Sequence, residues 1–249
     1  MKIIAVIPAR FKSTRFPGKP LALIAGVSMI QRVYQQAKKV ERLDEVIVAT
    51  DDQRIYEAVK AFGGQVSMTK ESHQNGTERC AEVIEYRTDI DLVINIQGDE
   101  PFIAEAQIEL LINQLIIQKR GIATLAKRLD DMKDWLNPNI VKVLFDKNKK
   151  VLYFSRAALP YQRSDDNVSW NEKQAYFKHI GLYGYYRKTL LDISKLQASP
   201  MELSESLEQL RWLEHGEVIG IAITEVESIS VDTPEDIQKA ADWLSKNAS

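Results

Sequence analysis

Residues 3–7 read Ile3-Ile4-Ala5-Val6-Ile7, and the loop after them reads Pro8-Ala9-Arg10-Phe11-Lys12-Ser13-Thr14-Arg15-Phe16-Pro17-Gly18-Lys19-Pro20-Leu21. The first run is short and entirely apolar, which is typical of a strand that is buried on both faces of a sheet. Ligands of open parallel sheets bind beyond the carboxyl ends of the strands. The loop therefore lies where this fold class places its binding sites.

Apolar runs alternate with amphipathic stretches through the first half of the chain. The predicted strands after the first lie at 46–49, 65–68 and 92–96, and predicted helices lie at 29–37, 55–62, 81–86 and 104–118. Strands that alternate with helices predict right-handed βαβ units. We therefore expect an α/β fold with a mainly parallel sheet flanked by helices.

The pattern changes after about residue 120. Two predicted strands at 140–145 and 151–154 are joined by a turn and indicate a hairpin, and a polar loop at 161–175 precedes a strand at 177–186. A capping signature at Ser199-Pro200 predicts a helix to about Glu214, and Thr233-Pro234 predicts the start of a final helix. We interpret 1–249 as a single domain with a smaller β-rich segment at about 130–190.

Composition excludes several classes of protein. Lys and Arg number 33 against 35 Asp and Glu, a net charge of −2, so the chain lacks the broad basic field that nucleic acid requires. The single cysteine, Cys80, cannot form an internal disulfide and is expected to be a buried helix residue. The N-terminal apolar run is too short for a signal peptide or a membrane span of ~20 residues, so we expect a cytoplasmic protein without membrane insertion.

The loop after the first strand carries four cations, at Arg10, Lys12, Arg15 and Lys19. Arginine binds phosphate oxygens with two hydrogen bonds and lysine acts as a point charge, so this composition suits a triphosphate. The loop does not have the G-x-x-x-x-G-K-[ST] pattern of a Walker A sequence. The alternative interpretation is a solvated basic loop.

Two carboxylates are candidates for a magnesium site. Asp99 follows the apolar strand at 92–96, and Mg²⁺ prefers one or two carboxylates together with phosphate oxygens and water. Asp232 would supply the second carboxylate, since Thr233 can cap the following helix by itself. The alternatives are a turn residue at Asp99 and ordinary helix-start chemistry at Asp232.

Three further motifs each allow a functional and a structural interpretation. The polar groups at 73–79 could bind the edge of a base, or Gly76 and Thr77 could form only a turn and a cap. Strand alternation predicts that His179, Gly181, Tyr183 and Tyr185 share one face, although a lone strand histidine is often structural. On the helix after Ser199 we expect an apolar stripe formed by Leu203, Leu207 and Leu210. Glu205, Glu208 and Gln209 lie elsewhere on this helix, where side chains are usually solvated.

The combination and order of these motifs closely resemble the 3-deoxy-manno-octulosonate (KDO) cytidylyltransferases, or CMP-KDO synthetases. The resemblance extends from residue 2 to about 245. It is carried by 8–21, 49–52, 76–79, 97–101, 152–156, 179–185, 207–211 and 231–236. The segments Tyr153-Phe154-Ser155-Arg156 and 179–185 are more particular to the KDO enzymes than the others.

The resemblance implies a nucleotide-diphospho-sugar transferase fold and a homodimer formed through the β-rich segment. It implies transfer of CMP from CTP to the anomeric hydroxyl of KDO with release of pyrophosphate, for lipopolysaccharide core biosynthesis, with Mg²⁺ as cofactor. By this resemblance Arg10, Lys19, Asp99 and Asp232 are catalytic, the two aspartates hold the metal, and Arg10, Ser13, Lys19, Asn75, Gly76 and Arg79 bind the nucleotide. The residues expected on the sugar are Gln97, Arg156, His179, Tyr183, Glu208 and Gln209. Asn75 departs from the serine of many members.

Other functions remain open at this point. A related cytidylyltransferase could act on a sialic acid or on 8-amino-KDO, and the segment 179–185 argues against the sialic acid but not against the amino sugar. A non-catalytic nucleotide-sensing module would not need both Asp99 and Asp232. A dinucleotide-dependent oxidoreductase is disfavoured, because G-x-G-x-x-G does not follow the first strand.

Overall fold

The computed structural model describes residues 1–12, 16–163, 175–227 and 230–247. Within these ranges the chain folds into two units. The first unit takes its described residues from 1–109, 186–194 and 228–249, and the second from 110–185 and 195–227. The β-rich segment expected at 130–190 lies largely within the second unit, and the single-domain interpretation stays a prediction.

The elements follow one another in this order: β1 (Ile3–Ala9), a 3₁₀ turn (Lys19–Leu21), β2 (Leu23–Ile24), β3 (Val27–Ser28), α1 (Met29–Ala37), β4 (Glu45–Thr50), α2 (Gln53–Ala61), β5 (Gln65–Met68), α3 (Gly76–Ile84), β6 (Leu92–Asn95), α4 (Glu105–Gln118), β7 (Ile122–Arg128), α5 (Met132–Leu136), β8 (Lys142–Phe145), β9 (Val151–Ser155), β10 (Phe177–Tyr186), α6 (Arg187–Ile193), α7 (Pro200–Glu205), α8 (Gln209–Glu214), β11 (Ile219–Ile223) and α9 (Asp236–Asn247).

The first unit contains a parallel arrangement of strands in the order β6-β1-β4-β5. In the register, Ile4 pairs with Glu45 and Ile3 pairs with Leu92. Ile4 and Val6 on the central strand β1 are fully buried, as the apolar run predicted. Because the strands run in the same direction, the loops after β1, β4 and β6 leave from one edge of the sheet. The predicted α/β fold with helices flanking a mainly parallel sheet is confirmed.

The strands of the second unit run in mixed directions. Strand β7 pairs with β11 in parallel and with β10 in antiparallel orientation, and β8 pairs antiparallel with both β10 and β9. The β8–β9 pair is the hairpin that the sequence predicted. The register of β10 shifts between Ile180 and Tyr183, which marks an irregularity in the middle of this strand.

The sequence predicted one continuous helix from Ser199 to Glu214, and this prediction is wrong. The segment consists of α7 and α8, and the chain between them passes through Ser206 in the left-handed region, with φ 52°. A left-handed residue cannot continue a right-handed helix, so the second half starts on a new axis. Leu203 is consequently 70% exposed and does not belong to the apolar stripe, whereas Gln209 is buried and not on the surface.

Two smaller expectations are also settled by the structure. Cys80 is fully buried on α3, as predicted. The last helix begins at Asp236, two residues after Pro234, at which the Thr233-Pro234 signal predicted the first helical residue. None of the helices in the described ranges has both the length and the hydropathy needed to cross a bilayer.

Candidate active site

A cavity of about 400 Å³ opens at the carboxyl-end edge of the parallel strands in the first unit. Its volume falls in the usual range for small-molecule sites, roughly 300–1,000 Å³. It is lined by Pro8, Ala9, Arg10, Lys19, Pro20, His73, Gln74, Asn75, Gly76, Arg79, Gln97, Gly98, Asp99 and Asp232. The structure thus brings together eight of the residues that the sequence singled out: Arg10, Lys19, Asn75, Gly76, Arg79, Gln97, Asp99 and Asp232. Ser13 lies outside the described residues.

Lys19 lies at the centre of the charged end of this cavity. Its Nζ is 2.6 Å from Asp99 Oδ2 and 3.3 Å from Asp232 Oδ1. One ammonium therefore contacts two carboxylates that are 133 residues apart in the chain, a separation given by 232 − 99. The two aspartates converge as the sequence predicted.

The backbone around Asp232 is held by hydrogen bonds and not by a strand. The Val231 N–H donates to the Asp99 carbonyl at 3.0 Å, which ties this segment to the loop after β6. The N–H groups of Asp232 and Thr233 donate to Asp236 Oδ2 at 3.2 and 3.0 Å. A hydrogen bond from Lys239, helped by these N–H groups, lowers the pKa of Asp236 to about 2. Asp236 thus fixes the position of Asp232, and this positioning role was not predicted.

The loop that carries Lys19 is anchored by an aromatic ring. Gly18 has φ 74° and donates its N–H to the Phe11 carbonyl at 2.9 Å, and a Cβ at Gly18 would lie 3.0 Å from the Phe11 ring. The Arg54 guanidinium stacks on the same ring, 3.3 Å from its centroid. Lys12 forms an ion pair with Glu71. These contacts hold the two described ends of the loop in place.

The segment 73–79 combines structural and pocket-lining roles. Asn75 Oδ1 accepts the Glu78 N–H at 2.9 Å and so caps α3. The buried Arg79 donates to Asp51 Oδ2 and to Thr69 Oγ1, each at 2.7 Å. These hydrogen bonds within the protein therefore fix the conformation of this side of the cavity. Asp51 lies in the segment 49–52, one of those that carry the resemblance, but its pairing with Arg79 could not be deduced from the spacing of the two residues.

His73 and Gln74 also line the cavity, although they were absent from the predicted site residues. His73 Nε2 is 2.5 Å from Glu82 Oε2, and its Nδ1 is 3.5 Å from Glu78 Oε2. Both partners are on α3, so the imidazole joins the loop before the helix to the helix surface. The sequence signal that could have identified them as site residues is their position in the polar segment 73–79.

The remaining predicted residues, Arg156, His179, Tyr183, Glu208 and Gln209, belong to the second unit. His179 Nε2 lies 2.9 Å from Thr124 Oγ1, and its ring is 5.3 Å from that of Tyr183. Burial lowers the pKa of His179 to about 3, so the ring is neutral at pH 7. Burial, followed by the charge of Glu208, raises the pKa of Tyr183.

Arg156 is held by backbone and side-chain oxygens of the same unit. Its Nε donates to the Glu205 carbonyl at 2.8 Å and its Nη1 to the Pro138 carbonyl at 3.1 Å. The Glu205 carboxylate accepts from Ser155 Oγ at 2.6 Å and from the Arg156 N–H at 2.9 Å. Glu205 is therefore a structural bridge between β9 and α7, and not the solvated surface residue that we expected.

The comparison with family models assigns the chain to a family. The sequence model of the family described as Cytidylyltransferase matches residues 4–219. The chain belongs to this family.

The curated relatives of this cytidylyltransferase chain are similar to it over nearly their whole length. A protein of Parabacteroides distasonis named 3-deoxy-manno-octulosonate cytidylyltransferase is 51% identical, with 98% of each chain covered. A protein of Bacteroides thetaiotaomicron with the same name is 47% identical, with both chains covered completely. The predicted resemblance to this group is confirmed.

One solved structure supports the same assignment, and a second one shares the fold. A CMP:2-keto-3-deoxy-manno-octonic acid synthetase complexed with CTP has a TM-score of 0.92 and 40% identity, and 99% of each chain is covered. A putative glucose-1-phosphate thymidylyltransferase from Bacillus anthracis has a TM-score of 0.66 at 16% identity, with 97% of this chain and 94% of that chain covered. The second likeness shows the fold alone.

The close approach at Gly98 gives a test of the pocket geometry. A Cβ at Gly98 would lie 2.9 Å from the Pro8 carbonyl oxygen, whereas a Cβ at Gly181 would meet nothing within 4 Å. Gly98→Ala must displace the backbone beside Asp99, so we expect a loss of about 1–3 kcal/mol of stability and weaker nucleotide binding. Gly181→Ala is the matched control. Urea unfolding and calorimetric CTP titration check this, and equal behaviour of the two variants would contradict the geometry.

Proposed function

We propose that the chain transfers the CMP moiety of CTP to the anomeric hydroxyl of KDO, giving CMP-KDO and pyrophosphate. The observation that carries this proposal is the match over nearly the full length to enzymes of this name, together with the triphosphate-sized, cation-lined cavity. The proposed product serves lipopolysaccharide core biosynthesis, and we place the reaction in the cytoplasm. The names of the relatives do not favour the amino-sugar or the sensing alternative.

In this reaction the anomeric oxygen attacks the α-phosphorus of CTP, and the bond from that phosphorus to the bridging oxygen of pyrophosphate breaks. Arg10 and Lys19 at the cavity would bind the phosphate oxygens and neutralise the charge that accumulates on the leaving group. The segment from Asn75 to Arg79 would contact the cytosine. Such a reaction requires positioning and charge neutralisation more than covalent catalysis.

The donor set of the cavity fits a magnesium ion. Asp99 and Asp232 supply oxygen ligands, and both lie within 3.3 Å of one ammonium nitrogen. Among the residues that the structure describes, no three His, Cys, Asp or Glu side chains come close enough to hold a metal, so nucleotide oxygens and water would complete the shell. When bound, Mg²⁺ lowers the pKa of the sugar hydroxyl and screens the α-phosphate.

By the resemblance, the residues that we propose to contact the sugar are Gln97, Arg156, His179, Tyr183, Glu208 and Gln209. KDO carries a carboxylate and several hydroxyls, which suit an arginine such as Arg156 and polar groups such as Gln209. His179 is neutral and, with a pKa of about 3, is a weak base at pH 7. We therefore assign it to hydrogen bonding with the sugar and not to removal of the hydroxyl proton.

The nucleotide preference is the most direct test of the proposed reaction. Because hydrogen-bonded sites strongly reject analogues that leave their polar groups unpaired, we expect CTP to be preferred over ATP and GTP by a large factor, with UTP as the nearest competitor. The measurement is KDO-dependent pyrophosphate release with each nucleotide, and with sialic acid in place of KDO as control. Equal turnover with ATP, or release that does not require KDO, would refute the proposal.

The two aspartates are expected to be essential for turnover. Removal of one carboxylate should cost about 4 kcal/mol of transition-state stabilisation, so Asp99→Asn and Asp232→Asn should each lower kcat by about 10³. Glu235→Gln is the matched control, because Glu235 is an exposed acid beside the same segment. Turnover is measured across a magnesium titration, with thermal melts to check folding. If Asp232→Asn turns over normally at low magnesium, the assignment of the metal ligand is wrong.

We also propose a two-fold homodimer formed through the β-rich segment. Within this segment, β10 is paired on both sides and offers no free edge. Instead, β9 is paired only with β8 among the strands of the described residues, and Leu152 on β9 and Leu136 are 57% and 59% exposed. Exposed apolar side chains on a strand with an open edge favour association.

Light scattering tests the dimer. At micromolar concentration we expect about twice the chain mass of 28.4 kDa, and Leu152→Asp should shift the mass toward the monomer. Ile117→Asp is the matched control, since Ile117 is 77% exposed on α4 and outside the segment. A mass near that of one chain for the unmodified protein would exclude the homodimer.

A further inference from the structure

The Lys19 ammonium occupies the position between the two carboxylates that we assign to metal binding. Its Nζ contacts Asp99 Oδ2 at 2.6 Å and Asp232 Oδ1 at 3.3 Å. The Lys19 side chain is 14% exposed, against 29% for Asp99 and 40% for Asp232. The ammonium is therefore the innermost member of the group, and the carboxylates face the cavity from either side of it.

We propose that Lys19 competes with the divalent cation for Asp99 and Asp232, so that the metal site becomes available only when a triphosphate draws the ammonium away. The proposal rests on the proposed function, because it takes these carboxylates as the metal ligands. A divalent cation bound by both carboxylates would lie close to the ammonium that contacts them, and the two positive charges would repel each other. This repulsion is the basis of the proposed competition.

Hydrogen bonds among the described residues fix the backbone next to Lys19, whereas its side chain is free to rotate. Gly18 and the 3₁₀ turn fix the backbone of Lys19, since the Gly18 N–H donates to Phe11 and the Ala22 N–H donates to the Lys19 carbonyl at 3.1 Å. The four-carbon stem of lysine is flexible and carries its charge at the tip. A rotation about the stem is sufficient to transfer the ammonium from carboxylates to phosphate oxygens.

This arrangement predicts an order of binding. Metal alone should bind weakly, because it must displace Lys19 from two ion pairs. A triphosphate supplies new partners for Lys19 and releases the carboxylates, so the nucleotide should strengthen metal binding and the metal should strengthen nucleotide binding by the same factor. Lys19 then has two roles. It binds the phosphates of the nucleotide, and its position determines whether the carboxylates are available to the metal.

The test measures binding of Mn²⁺ alone, by electron paramagnetic resonance of the free ion, in the full chain without nucleotide. Lys19→Met should tighten Mn²⁺ binding by about tenfold or more, within the usual range of coupling between sites. Arg10→Met is the matched control, because it removes one positive charge from the lining of the same cavity. Lys19→Gln provides a second variant in case Lys19→Met is unstable.

A second readout is the rise in melting temperature on addition of Mg²⁺, which should be larger for Lys19→Met than for the unmodified chain. Unchanged or weaker Mn²⁺ binding in both Lys19 variants, or an equal tightening by Arg10→Met, would overturn the competition. Adding Asp99→Asn to Lys19→Met should abolish the gain. If it does not, Mn²⁺ binds elsewhere, and the metal assignment in the proposed function fails together with the competition.

Discussion

The ion pairs of Lys19 with Asp99 and Asp232 join three parts of the chain that are far apart in sequence. Lys19 is 80 residues from Asp99 and 213 residues from Asp232. The loop after β1, the loop after β6 and the segment before α9 must all be in place for these contacts to form. The backbone hydrogen bond from Val231 to Asp99 and the acceptor role of Asp236 secure the third part. The cavity therefore depends on the complete first unit and not on any local motif.

The two units have distinct roles in the proposed reaction. The first unit carries the cations, the paired aspartates and the segment assigned to the base. The second unit carries the aromatic and polar residues assigned to the sugar, with His179 kept neutral by burial and Arg156 fixed by carbonyl oxygens. In the second unit, therefore, burial and backbone contacts hold the side chains before any ligand binds, which is the arrangement that a positioning mechanism requires.

Much of the fold could be predicted from periodicity, because the strands of the first unit are short, apolar and separated by amphipathic helices. The strands β7 and β11 were missed: β7 ends in Lys127 and Arg128, and β11 contains Gly220. The break at Ser206 was also missed, since a serine in the left-handed region leaves no signal in the apolar pattern. The start of α9 was predicted two residues early, because Thr233-Pro234 resembles a cap whereas Asp236 accepts the N–H groups of Asp232 and Thr233.

The lining of the cavity was largely predictable, because Arg10 and Asp99 closely follow predicted strands and Lys19 lies in the loop after the first of them. That these residues bind nucleotide and metal stays a prediction. Convergence of Asp232 with Asp99 was expected from strands in one sheet, but a backbone hydrogen bond accomplishes it instead. The Asp51–Arg79 pair, the Phe11–Arg54 contact and the Glu205 bridge depend on tertiary structure and carry no local signature. The sugar residues rested on the resemblance alone, and their roles stay predictions.

A crystal structure of the chain with CTP and Mg²⁺ tests the central claim most directly. We expect the triphosphate in the cavity of the first unit, with its oxygens on Arg10 and Lys19, the cytosine beside residues 75–79, and the metal between Asp99 and Asp232. A nucleotide bound outside this cavity, or phosphates that contact neither Arg10 nor Lys19, would contradict it.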